Sequence, residues 1–516
     1  MDIVFVSPSN SKAIYQELSN KYSAIEPPTW ALLLAESCRS KGFKVSILDC
    51  NAEGLSIDQS YQRLSELSPK LICFVVYGQN VNAGTTSMSG ATALSNYIKK
   101  KNNKFVISYV GSHVQSVPLE TLQNEQSIDF VFVNEGVYAL HNVLKLNNFT
   151  PENLSTIKGL AYKDNNGLAK FTKPEMIVPQ DRMDIDLPGY AWDLLPFKST
   201  PLDLYRSPLW HANYIEDQRS PYAAIQTSLG CQFKCDFCMI NIINRNDEEE
   251  VGVAGTYSKM RYWSTDFIIK QFDKLIEMGV TTIRITDEMF LLNPKYYKPL
   301  CEKLAERNRD DKLLMWAYSR VDTVKRPEVL ELVRKAGIRW LCLGIESGDK
   351  NIRLEISKGK FEDVDVNKVV KQVHDADINV MANYIYGLPG DTKDSILKTF
   401  ELSKELNTMG WNTYAAMALP GSRLYKIAKE NGTKLPESYE GYSFHSYDCI
   451  PLPTENLEAY QVLELRDQCF IDYFTNEKYL STVKQKFGEE AAKNIIRMSK
   501  IKLKRRIIEE AKNKSI

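Results

Sequence analysis

The chain has 516 residues, with 65 basic and 65 acidic side chains, 43% hydrophobic residues and a mean hydropathy of −0.33. That length allows about two to four domains, and the balanced charge excludes a general polyanion or anionic-membrane binder. No stretch approaches the ~18 apolar residues of a membrane span. The start, MDIVFVSPSN, carries Asp2 where a signal peptide wants positive charge. Ten cysteines in so long a chain make no disulfide framework, and a reducing, cytoplasmic setting is expected.

The first 145 residues alternate short apolar strands with helices. DIVFVSPS leads to a helix in PPTWALLLAESCRSKG, then to the strands KVSILDC (44–50), KLICFVVYGQN (70–80), KFVISYVGSH (104–113) and DFVFVNEG (129–136). This order predicts an α/β fold with a doubly wound, Rossmann-like parallel sheet, which binds ligands beyond the carboxyl ends of its strands. Those ends carry Ser7, Tyr77, Gly78, Gln79, Asn80, Gly111, Ser112, His113, Glu135 and Gly136. Residues 146–220 read as a surface connector, with a hairpin around Asn165-Asn166-Gly167.

From 221 to 430 the alternation resumes. Six strands, YAAIQTSL, TTIRITDE, LLMWAYSRVD, RWLCLGIES, NVMANYIYGLPG and NTYAAMALPGS, alternate with helices and end on polar or glycine residues. That pattern predicts a partial (β/α)6, TIM-like barrel with its site at the C-terminal face. Residues 431–516 read as mostly helical, ending in a basic amphipathic helix with a solvated face. Within them the tyrosine-rich segment 437–449 is placed to cover the barrel mouth.

The first barrel strand runs into SLGCQFKCDFCMIN, which sets Cys231, Cys235 and Cys238 in C-x₃-C-x₂-C spacing. A structural zinc site wants four protein ligands, usually as two pairs, and no second C-x-x-C exists. A ferredoxin-type cluster also wants a fourth cysteine, while Cys301 and Cys342 fall in a distant helix and strand. Three thiolates on a four-iron cluster leave one iron open to an exogenous ligand.

This spacing, with Phe237 just before the third cysteine, resembles the signature of the radical S-adenosylmethionine (SAM) enzymes, and the six βα units resemble their partial barrel. The resemblance implies a [4Fe-4S] cluster on Cys231, Cys235 and Cys238. It also implies SAM chelating the open iron, reductive cleavage to a 5′-deoxyadenosyl radical, and an electron donor such as flavodoxin or ferredoxin. Carried over residue by residue, it assigns Phe237 to SAM, Asp287 or Glu288 to its amino group, and Tyr318 and Arg320 to its carboxylate. Glu346 and Ser347 fall to the ribose and Ile385 to the adenine. A carboxylate suits an ammonium group and a guanidinium suits a carboxylate.

The N-terminal region resembles the cobalamin-binding domain fused ahead of this barrel in the subfamily that includes magnesium-protoporphyrin ester cyclase and radical C-methyltransferases. The histidine motif Asp-x-His-x-x-Gly of the domains that ligate cobalt is missing; the five histidines are 113, 141, 211, 374 and 445. The strand-end residues above then become corrin contacts, with Tyr77 beneath the ring and His113 on the corrin amides rather than on cobalt. Expected cofactors are therefore the cluster, SAM and cobalamin. The expected reaction is methylation of an unactivated carbon of a small-molecule or natural-product precursor, through the deoxyadenosyl radical and methylcobalamin. Cyclisation, ring contraction or another rearrangement is the alternative, and no residue names the substrate.

Overall fold

The computed structural model describes residues 1–9, 11–77, 81–208, 219–240, 260–324, 326–357 and 361–514. Its first sheet has seven strands: β1 (Ile3–Ser7), β2 (Val45–Asp49), β3 (Leu71–Val75), β4 (Ile107–Val110), β5 (Phe130–Phe132), β6 (Leu160–Lys163) and β7 (Ala169–Phe171). They lie in the order β2-β1-β3-β4-β5-β6-β7, with β1 to β5 parallel and β6 and β7 antiparallel. Every residue of β3, LICFV, is buried, as expected of a central strand covered on both faces. The helix Thr29–Ser40 buries Trp30, Leu32, Leu33 and Leu34.

One expectation changes here. The hairpin assigned to the connector forms β6 and β7, and its first strand pairs with β5. Residues 160–171 thus extend the N-terminal sheet past position 145. The pairing puts the apolar Leu160, Ala161 and Tyr162 under cover, a gain that local pattern alone does not reveal.

The second sheet has six parallel strands: β8 (Tyr222–Ile225), β11 (Thr282–Ile285), β12 (Leu314–Arg320), β13 (Ile338–Glu346), β14 (Asn379–Tyr386) and β15 (Gly410–Ala415). They lie in the order β15-β14-β13-β12-β11-β8, the open partial barrel read from the sequence. Between β8 and β11, two short strands, β9 (Ser228–Leu229) and β10 (Arg261–Tyr262), pair antiparallel. Parallel strands of a curved sheet send alternate side chains inward.

The C-terminal region is mostly helical, as expected, with helices at Ala459–Phe474, Glu477–Phe487, Glu489–Ser499 and Arg506–Lys514. The first of these covers β15: Trp411 stacks on Tyr473 at 5.3 Å, and Arg466 Nε donates to the Thr413 carbonyl at 3.0 Å. The tyrosine-rich segment lies at a three-way junction. Tyr439 meets His113 edge-on at 5.2 Å, Phe444 packs on Tyr414 at 4.9 Å, and His445 packs on Tyr15 at 5.2 Å. One apolar core runs from the first sheet through Tyr190 and Trp192 into the barrel. No helix among the described residues is long and apolar enough to cross a membrane.

Candidate functional site

The cysteine loop leaves β9 through Gly230, whose φ of +92° lies in the left-handed region that glycine adopts without strain. The strand before it is fixed by Asp287. That carboxylate accepts the Thr227 N–H at 2.6 Å on one oxygen, and the Thr227 and Ser228 hydroxyls at 2.5 and 2.6 Å on the other. Beyond the first cysteine the loop is tied to the barrel rim. Asp236 N–H donates to the Ile356 carbonyl at 3.2 Å, and Leu424 N–H donates to the Asp236 carbonyl at 3.0 Å. A turn from Cys235 to Cys238 closes with a 3.1 Å hydrogen bond, N–H of the third cysteine to carbonyl of the second.

Cys231, Cys235 and Cys238 share one apolar cluster with Phe233, Met239 and Ile240. Burial pushes the Cys231 and Cys235 thiols up to about 12, against the opposing pull of Arg320, and pushes Cys238 well above its usual range. Thiols in such surroundings are inert nucleophiles and give up their protons only to a metal. Among the described residues no three His, Cys, Asp or Glu side chains converge on a single ion. A cubane asks for no such convergence, because each thiolate binds a different iron, so the donor set fits a cluster.

Around the loop stand the residues expected to hold SAM. Glu288 keeps some exposure and makes no hydrogen bond or ion pair within the described residues. Burial, opposed by Arg284, raises its carboxyl to about 7. Arg320 lies 3.7 Å over the Phe233 ring in the cysteine loop and pairs through Nε with Asp322 at 2.7 Å. Tyr318 turns elsewhere: its hydroxyl accepts from Arg284 Nη2 at 2.5 Å, and Arg284 in turn pairs with Glu26. Glu346 sits at φ +66°, left-handed for a residue with a side chain, a strain that clusters at functional sites. Its carboxylate folds over Gly344, where an added Cβ would lie 2.6 Å from Glu346 Oε1 and would push the carboxylate aside. Burial raises Glu346 to about 7, against the pull of Arg320. The neighbouring Ser347 is buried and turned away, its hydroxyl engaged by Thr399 at 3.3 Å and by Asp349 N–H at 3.1 Å. Phe237 and Ile385 meet in one apolar cluster with Ile352, Ile356 and Leu388.

The strand-end residues of the first sheet divide. Tyr77 stacks on Trp30 at 5.1 Å and packs against the cysteine cluster. Ser7 is half-buried at the end of β1. Gly111 is required by its own chain: an added Cβ would lie 2.1 Å from the Val76 carbonyl oxygen. Ser112 is fully buried, and Gly136 caps the helix Val137–Val143. His113 is buried too, its Nδ1 3.1 Å from the Thr85 hydroxyl, and burial lowers its pKa to about 3. Glu135 differs most from expectation. It forms a buried ion pair with Arg261 of β10 at 2.8 Å and accepts the Val178 N–H, which leaves it tied to the barrel side. Gly78, Gln79 and Asn80, like His211, lie outside the described residues.

Three participants escaped the sequence reading: Arg261, the Glu26–Arg284 pair and Asn82. The Asn82 side chain, from the turn after β3, accepts Met239 N–H at 3.1 Å and reaches Cys238 Sγ at 3.7 Å. No local signal announces such contacts between residues more than a hundred positions apart.

Comparison with known proteins bears on the same regions. Residues 18–144 match the B12 binding domain model, and residues 225–403 match that of the Radical SAM superfamily. An uncharacterized methyltransferase of Pyrococcus horikoshii is 24% identical over 484 residues, covering 93% of this chain and 94% of the relative. The anaerobic magnesium-protoporphyrin IX monomethyl ester cyclase of Cereibacter sphaeroides is 24% identical over 438 residues, 80% of this chain and 62% of the cyclase. In fold, the chain is similar to the radical SAM methyltransferase TsrM of Kitasatospora setae, solved with cobalamin and a [4Fe-4S] cluster. The TM-score is 0.62 at 15% identity, over 92% of this chain and 89% of TsrM. With both domain models matched in this order and three cysteines in the loop that follows the first barrel strand, the chain is a radical SAM enzyme with an N-terminal B12-binding domain, and its cofactors are a [4Fe-4S] cluster, SAM and cobalamin.

Proposed function

We propose that the enzyme is a methyltransferase acting on an unactivated carbon of a small molecule. The observation that carries this reading is the contact between the two cofactor regions. Tyr77 and Asn82, just beyond β3 of the B12-binding sheet, touch the cysteine loop itself, which supports cofactors held close enough to act on one substrate. Bound together, the cofactors supply a deoxyadenosyl radical that takes hydrogen from substrate and a cobalt-borne methyl group that replaces it.

This chain's residues divide the work of holding SAM. Glu288, which makes no hydrogen bond or ion pair among the described residues, accepts the ammonium group, while Asp287 holds the loop. Arg320 faces the carboxylate from beside Phe233, and Glu346 accepts from the ribose hydroxyls. Phe237 and Ile385 present an apolar face to adenine. Tyr318 and Ser347 support the site from behind, through Arg284 and Thr399 respectively. We assign residues 1–145 together with the hairpin 160–171 to the cobalamin domain, the rest of 146–220 to the connector, 221–430 to the barrel and 431–516 to its helical cover. The reducing electron comes from a flavodoxin- or ferredoxin-like donor in the cytoplasm.

The test uses anaerobically reconstituted full-length protein with cobalamin, reductant and methyl-labelled SAM. Both S-adenosylhomocysteine and 5′-deoxyadenosine should form, and the product should gain one labelled methyl group. A Cys231→Ala/Cys235→Ala/Cys238→Ala variant should yield no 5′-deoxyadenosine. The similarity to the ester cyclase over 80% of the chain supports a second reading, rearrangement without methyl transfer. Substrate consumption with 5′-deoxyadenosine but no S-adenosylhomocysteine would select it.

A further inference from the structure

We infer that Asn82 is a positioning residue for the cluster: its side-chain amide donates a hydrogen bond to the Cys238 sulfur and thereby raises the cluster's reduction potential. The inference rests on the reading of Cys238 as a cluster ligand. Backbone Met239 N–H can only donate, so the Asn82 atom 3.1 Å from it must be the amide oxygen. The NH₂ end of the same planar amide is then the group 3.7 Å from Cys238 Sγ, within reach of an N–H···S bond. One side chain therefore holds the backbone beside the third cysteine and points a donor at that cysteine's sulfur.

The setting makes the donor effective. Cys238 is packed among Phe233, Met239, Ile240 and Tyr77, an apolar setting with little water to compete for its sulfur. In such low-dielectric surroundings a single N–H dipole carries more weight than it does in water. Hydrogen bonds to the sulfurs are among the determinants of a cluster's potential, because they stabilise the extra negative charge of the reduced state. Asn82 belongs to the turn Val81–Ala83 at the carboxyl end of the B12-binding sheet, not to the barrel. The domain that holds cobalamin therefore also contributes to the electron affinity of the cluster that starts the reaction.

The experiment is an EPR-monitored redox titration of the cobalamin-loaded, full-length protein and its Asn82→Leu and Asn82→Ser variants. Leucine keeps the volume and removes both hydrogen bonds. Its cluster should hold the wild-type iron content with a midpoint shifted to lower potential. Serine, which retains a hydroxyl donor, should fall between leucine and wild type. A second readout separates donation to sulfur from mere fixing of the loop. After exchange into D₂O, the reduced wild-type cluster should show one deuteron coupling that Asn82→Leu lacks, beside those of the backbone N–H groups of Phe233 and Ile240 that both proteins keep. An unchanged midpoint in Asn82→Leu, or a set of deuteron couplings undiminished from wild type, would overturn the inference. If both variants lose the cluster, wild type labelled with ¹⁵N in asparagine amides decides, and absence of a ¹⁵N coupling rejects the role. Failure of the wild type itself to hold about four irons per chain refutes the cluster reading instead.

Discussion

Asp287 accepts three hydrogen bonds from Thr227 and Ser228, whereas Glu288, the next residue, makes no hydrogen bond or ion pair among the described residues and faces the cysteine loop. Two adjacent acids at a strand end thus divide into one that builds the loop and one that the proposed reading gives to the SAM ammonium group. Asp287→Ala leaves the buried Thr227 N–H without an acceptor, a cost of about 1–3 kcal/mol. Its iron content should fall by at least half. Asp287→Asn should recover much of that loss, since its remaining oxygen still takes the N–H and the two hydroxyls can rotate to accept. Glu288→Gln should keep its iron but bind SAM at least about tenfold more weakly, a loss of about 1.4 kcal/mol in equilibrium titration. Equal iron loss in both Asp287→Ala and Glu288→Gln would erase the distinction. The Asp-Glu pair and the cysteine spacing are legible in the sequence because the chemistry demands those residue types. Which acid does what is not legible, because it depends on where Thr227 and Ser228 come to lie.

At the level of elements, the short β9–β10 pair decides how the cysteine loop begins. Arg261 in β10 is buried against Glu135, at the end of β5, with Nη1 also donating to the Val178 carbonyl at 2.6 Å. A buried pair costs desolvation to form, yet removing one partner strands the other charge, typically about 3–5 kcal/mol. Arg261→Met should therefore lower the denaturation midpoint sharply, while the double variant Arg261→Met/Glu135→Leu should recover most of the stability. Urea titration of the three proteins checks this, and a double variant no better than the single one would contradict it. The main strands of both sheets are legible from apolar runs punctuated by helices. The hairpin's place in the first sheet and the β9–β10 pair are not, because a strand of two or three residues has no period to detect and its partner is remote.

For the molecule as a whole, the connector fastens the two halves. Tyr205 donates its hydroxyl at 2.9 Å to Asp49 at the end of β2, which also accepts backbone N–H from Asn51 and Ala52. Burial nevertheless raises the Asp49 carboxyl from 3.8 to about 6. Between these values the folded chain binds more protons than the unfolded one, so stability from this group is greatest below about pH 4 and declines as pH rises through 6. The full swing is about 3 kcal/mol. Asp49→Asn should remove it, so the stability difference, variant minus wild type, should grow from pH 4.5 to pH 7.5 in urea titrations. A difference independent of pH would contradict the account.

The Glu26–Arg284 and Glu135–Arg261 pairs share one arrangement: the arginine belongs to the barrel and its acid to the N-terminal half. A barrel cut free at residue 221 would carry two buried cations with their acids removed. In the history of such a chain, the halves are then poor candidates for independent shuffling. A barrel inherited from another lineage would arrive with arginines seeking acids at positions 26 and 135, and a donor for its third cysteine at 82. Descent should keep these positions in step, so that a change on one side survives only where the other side has changed with it.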